Sequence, residues 1–146
     1  MGLLEKLKNT VESNEIKRKK SHLKNLFSIA MADGKLTNEE YDFLLLVAQR
    51  MYLDKSIIQN VINFTDDISF YVPSHDKEKL DQIYDCVCMA LIDGDLNERE
   101  IGTCKLISAK MGFRPAIIDQ IVEHILNSIL KGIASEIALN NLFNEI

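Results

Sequence analysis

Two stretches of this 146-residue chain hold the residue types that do chemistry with cations: Asp33-Gly34-Lys35-Leu36-Thr37-Asn38-Glu39-Glu40 and Asp93-Gly94-Asp95-Leu96-Asn97-Glu98-Arg99-Glu100. Both read D-G-x-L-x-x-x-E. That is the second half of an EF-hand loop, with the Asp, Gly and final Glu at loop positions 5, 6 and 12. The first half fails, because loop positions 1 and 3 fall on Ile29 and Met31, and on Met89 and Leu91. These apolar residues exclude a standard EF-hand cage and a calmodulin-type sensor. Two carboxylates per turn are too few for a hard cation unless waters, carbonyls or the other turn add oxygens. Four carboxylates meeting at neutral pH repel one another unless a cation or base intervenes. The same residues also have a plain structural reading, with each Gly ending one helix and each Glu helping to cap the next. Both readings account for the pattern.

The turns belong to a longer repeat. A shift of 60 residues superimposes Ala30 on Ala90, Asp33 on Asp93, Gly34 on Gly94, Leu36 on Leu96 and Glu40 on Glu100. The match runs on through Leu46/Leu106, Met51/Met111, Ile57/Ile117 and Ile58/Ile118, with no gap from residue 30 to residue 62. Two copies of one supersecondary unit are expected, spanning about 23–64 and 83–124.

Each copy reads as helix, tight turn, helix, short turn, helix. Leu23, Leu26, Phe27, Ala30 and Met31 follow helical spacing. Thr37 with Glu40, and Asn97 with Glu100, form the pattern of a capping box. The third helices are expected to start near Asp54 and near Pro115. A linker over 65–74, extended at Ile68–Val72, leads to a helix capped by Ser74. Residues 134–146 make a last amphipathic helix presenting Ile137, Ala138, Leu142, Phe143 and Ile146. The fold class is all-α, about seven helices in a single bundle of two pseudo-symmetric three-helix halves. Residues 1–22 form a basic leading segment and 23–146 the bundle.

The pattern resembles the TerB-like family, named from bacterial tellurite-resistance proteins and similar to the N-terminal domain of a membrane-anchored DnaJ-type co-chaperone. Ala32 to Glu40, its copy at Asp93 to Glu100, and the helical segments to Leu53 and Phe113 carry the resemblance. Copy two departs with Ile92 where copy one has Ala32. The resemblance implies an all-helical fold of two related halves whose acidic residues meet at a divalent-cation site. Its implied ligands are Asp33, Glu40, Asp93 and Glu100, and its implied cation is Ca²⁺, Mg²⁺ or Mn²⁺.

Charge and composition narrow the function. Residues 1–25 carry seven Lys/Arg against three Glu, a net +4, while the remaining 121 residues carry 10 basic and 19 acidic groups, a net −9. An acidic body does not suit nucleic acid and points to cations or basic partners. Lys17-Arg18-Lys19-Lys20 circles a helix, which reads as a solvated segment or, more sharply, as attraction to anionic membrane lipid or nucleic acid. Cys86, Cys88 and Cys104 are expected to be buried free thiols in a reducing cytoplasm. His22, His75 and His124 are scattered and suggest no catalysis. Asp81 and Asp85 extend the acidic cluster weakly. No secretory signal, membrane span, phosphate loop or nucleophile motif is visible. Leu3, Leu4, Leu7 and Val11 are expected to cover the bundle or meet a partner. The expected function is a non-enzymatic, stress-response-type adaptor whose cation clamps the halves and whose partner is another protein. The alternatives are a metal-free interaction module using the acidic patch and, more remotely, a metal-dependent hydrolase.

Overall fold

The computed structural model describes the backbone of residues 2–146 and the side chains of Leu3 and of residues 14–146, so Leu4, Leu7 and Val11 lie outside the described side chains. Seven α-helices make the described chain: α1 (Leu3–Ala30), α2 (Asn38–Arg50), α3 (Ser56–Asn63), α4 (Asp76–Ala90), α5 (Glu98–Lys110), α6 (Pro115–Leu130) and α7 (Ser135–Glu145). No strand occurs among the described residues.

The 60-residue offset carries the bounds of α2 onto those of α5, and the last residue of α1 onto the last of α4. It carries the core as well. Leu23/Ile83, Leu26/Cys86, Ile29/Met89, Leu44/Cys104, Val47/Ile107, Ile58/Ile118 and Val61/Ile121 are buried in both members. α1 packs on α4, and each holds its own pair, α1 with α2 and α3, α4 with α5 and α6. Burial of these aliphatic stripes is the main driving force for the bundle. One departure matters below. α5 packs against α1, but α2 makes no comparable contact with α4.

Sequence chemistry sets the ends of the helices. Gly34 and Gly94 lie in the left-handed region, at φ 98° and 82°, where a Cβ is strained; each closes the tight turn that follows α1 or α4, with its N–H donating to the carbonyl of Met31 or Leu91. After α5 the same job falls to Gly112, but after α2 it falls to Tyr52 at φ 59°, with its ring fully exposed. Pro115 opens α6 as expected. Asp54 precedes α3 by two residues, and its Oδ1 accepts the Ser56 N–H at 3.4 Å. Ser74 does not cap α4, because the chain turns one residue later and His75 occupies that position without a side-chain bond. Asp76 and Glu78 instead place negative charge on the first turn of α4. In α7 the buried face is Ala138, Leu139 and Leu142, while Ile137, Phe143 and Ile146 stay exposed. Leu3 is also exposed.

α1 runs unbroken through residue 22, and Ser21 and His22 are buried in the body. The basic run on this helix divides into two roles. Lys17 and Arg18 are exposed. Lys19 donates to the Met51 carbonyl at the end of α2 (2.8 Å) and Lys20 to Asn60 Oδ1 on α3 (2.8 Å). One turn on, Lys24 donates to the Ile68 carbonyl (2.7 Å). These ammonium groups fasten α2, α3 and the linker to α1, and Lys19 also neutralises a helix C-terminus. The solvated reading of the run therefore fits Lys17 and Arg18 alone.

Candidate metal centre

Each half supplies an Asp from its turn and a Glu from the first turn of the next helix. Thr37 caps α2 with a full capping box: its Oγ1 accepts the Glu40 N–H (3.2 Å), and Glu40 Oε1 accepts the Thr37 N–H (2.9 Å). That reciprocal pair holds Glu40 with no exposed surface, and leaves its second oxygen, Oε2, buried without a hydrogen-bond partner. Such an atom is costly to leave unmatched.

Copy two caps differently. Asn97 Oδ1 accepts the N–H groups of Arg99 (2.8 Å) and Glu100 (3.3 Å). The return bond from Glu100 to the Asn97 N–H does not form, and Asn97 sits at ψ 118° where Thr37 has 166°. The expected box is thus only half built. The Glu100 carboxylate, released from capping, joins Asp33 and Asp93 instead.

One oxygen from each of Asp33, Asp93 and Glu100 lies within 4.8 Å of the others. The two Asp side chains are exposed and Glu100 is buried, so the group opens to water on one side. Glu40 is fully buried and is not part of this group. Burial pushes the Glu100 carboxyl from its ordinary 4.5 to about 7, and the charges of Glu40, Asp33 and Asp93 push the same way. Three of the four residues expected from the sequence thus come together, and the fourth, Glu40, lies outside that group and acts on Glu100 through its charge. Asp33 Oδ1 also accepts the Lys35 N–H at 3.3 Å, which fixes its turn. Among the described residues no Lys, Arg or His forms an ion pair with any of the four. Oxygen-only donors with a solvent-open side suit a hard divalent cation that keeps some of its waters.

Asp85 does not extend this centre. Its carboxylate is on α4, where Oδ2 accepts from His22 Nε2 of α1 (2.8 Å) and from Arg50 Nη2 of α2 (2.7 Å). Burial pushes Asp85 up, but the hydrogen bonds and charge of His22 and Arg50 outweigh it and hold the carboxyl below its ordinary 3.8. An ionised carboxylate only accepts, so His22 carries its proton on Nε2. Its Nδ1 is buried and unpartnered. Asp81, Asp85, Arg50 and Tyr84 line an open cleft of about 410 Å³, walled on one side by Leu139 of α7.

His22 does not stand out in the sequence, because the three histidines are scattered along it. The informative signal was a mismatch. At offset 60, Asn25 becomes Asp85, His22 becomes Gln82 and Arg50 becomes Lys110. Three polar exchanges in one place mark a site that only one half possesses.

The three cysteines are free thiols, with Cys86 and Cys104 buried and Cys88 partly so. Burial pushes Cys86 well above its ordinary value and both Cys88 and Cys104 to about 12. They are inert packing residues. Among the described residues no helix is long and apolar enough to cross a membrane. Compared with protein-family models, with curated proteins and with solved structures, the chain matches none.

Proposed function

We propose that the chain is a non-enzymatic binding domain whose two D-G-x-L-x-x-x-E turns share one divalent cation, with Asp33, Asp93 and Glu100 as direct ligands. The observation that carries this reading is the unbalanced centre itself. Three carboxylate oxygens lie within 4.8 Å, and a fourth, Glu40 Oε2, is fully buried and unpartnered. No cationic side chain among the described residues offsets them. Capping explains Glu40 Oε1, but it does not explain Oε2, and it does not explain Glu100. A hard cation between Asp33 of one copy and Asp93 and Glu100 of the other ties the halves together, with Glu40 adding negative potential or a ligand oxygen. Ca²⁺, Mg²⁺ and Mn²⁺ all fit oxygen donors.

The resemblance to the TerB-like family favours a stress-response adaptor acting in the cytoplasm, with another protein as the object of binding. The cation in this reading is structural or regulatory. Calorimetric titration of the metal-stripped protein with each of the three cations tests it. Saturable heat that disappears in the Asp33→Asn, Asp93→Asn double variant supports the reading. No heat with any cation, or heat that survives the double variant, overturns it.

A further inference from the structure

The linker between α3 and α4 shows how this fold holds an extended peptide. Between Ile68 and Val72 it forms no helix and no strand; Ile68 and Phe70 pack against the core, and specific contacts tie the segment to α1 and α5. Lys24 donates to the Ile68 carbonyl (2.7 Å) and Ser21 Oγ accepts the Tyr71 N–H (2.9 Å). The Lys110 ammonium sits over the Phe70 ring, 5.6 Å from its centre. A backbone carbonyl, an aromatic ring two residues on, and the next backbone N–H are therefore read in turn by a donor, a cation and an acceptor.

The 60-residue offset maps these three holders onto residues of the other half. Lys24 maps to Tyr84, Ser21 to Asp81 and Lys110 to Arg50. All three line the cleft of about 410 Å³ between α2 and α4. Each keeps the chemistry of its counterpart. The Tyr84 hydroxyl donates, the Asp81 carboxylate accepts and the Arg50 guanidinium stacks on rings. α7 walls the cleft with Leu139 but leaves these residues uncovered. The volume lies within the range of ligand-binding clefts, about 300–1,000 Å³.

The charge of the two places is opposite. The filled one has Arg18, Lys24 and Lys110 beside it against one carboxylate, Glu78, which borders both places, and the linker reaches it from Asp66 and Asp67. The open one carries Glu78, Asp81 and Asp85 against Arg50 and His22.

We propose that this cleft is a docking groove for an extended segment of a partner protein, with an aromatic residue flanked by basic ones. The partner's ring lies on Arg50, the carbonyl two residues before it meets the Tyr84 hydroxyl, and the N–H of the residue after it meets Asp81. Lysines on either side face Glu78 and Asp81. None of the acidic-centre residues lines the groove, so peptide binding and cation binding are measured as separate events.

Fluorescence anisotropy on the full chain decides it, with a labelled peptide Lys-Lys-Ile-Ser-Phe-Tyr-Val-Lys-Lys as the probe. Replacing the peptide Phe by Ala, methylating the Tyr backbone nitrogen, or exchanging the lysines for glutamates is expected to weaken binding about tenfold each. In the protein, Asp81→Lys abolishes binding. Tyr84→Phe, which removes a single hydroxyl and is safe for folding, weakens binding severalfold. No binding at millimolar peptide, or equal binding of the Phe and Ala peptides, overturns the proposal.

Discussion

Asp85 and Glu100 are both withdrawn from water, at 9% and 3% exposure, and they differ in everything that surrounds the charge. Asp85 has a guanidinium and an imidazole N–H on one oxygen, and its carboxyl is held below 3.8. Glu100 has three other carboxylates as its charged neighbours, and its carboxyl is raised to about 7. A chain that can compensate a buried charge with its own residues does so at Asp85. At Glu100 no described side chain supplies that compensation, and the proposed cation is what would balance it.

The largest effect comes from breaking the compensated side. Asp85→Leu strands His22 and Arg50, and is expected to cost about 3 kcal/mol in urea unfolding at pH 7. A loss well under 1 kcal/mol would mean that the pair is only solvated surface charge.

On the other side a substitution is expected to help. Glu100→Gln relieves repulsion in the metal-free protein and raises its stability by about 1 kcal/mol at pH 8. The same variant no longer responds to added cation.

The pH dependence has a defined sign. Folded Glu100 keeps its proton up to about pH 7, whereas the unfolded chain releases it near 4.5. Between those values the folded state binds more protons, so stability falls as pH rises. Asp85 acts in the opposite sense, but below 3.8. Asp81, raised by partial burial from 3.8, acts in the same sense from a lower start. The melting temperature of the metal-free protein is therefore expected to fall from pH 4.5 to 7, more steeply than in Glu100→Gln. Equal slopes in the two proteins would remove the electrostatic contrast.

The smallest effects test the caps. Thr37→Ala breaks a reciprocal box and is expected to cost about 1 kcal/mol, and Asn97→Ala about 0.5 kcal/mol. Equal losses would argue that Glu100 takes part in capping after all.

Much of this was legible in the sequence wherever the chemistry is local. Gly34, Gly94, Thr37, Asn97 and Pro115 mark helix ends because each acts on backbone within a few residues. The repeat pointed to the bundle, and three of the four acidic residues it marked, Asp33, Asp93 and Glu100, come together. The half-built box at Asn97 was hidden, since one backbone angle decides where the Glu100 carboxylate turns. His22 and Asp85 lie 63 positions apart on helices whose facing is set by the whole core. A lysine run looks alike whether it faces water or reaches a helix end, so the roles of Lys19 and Lys20 needed the fold.

The central claim is that the uncompensated centre is completed by a cation. Crystals grown from metal-stripped protein and soaked in Mn²⁺ test it directly through anomalous diffraction. The account predicts one strong peak bounded by Asp33, Asp93 and Glu100, on the side facing Glu40. Crystals that diffract well with no peak there, or with manganese bound only elsewhere, would contradict it.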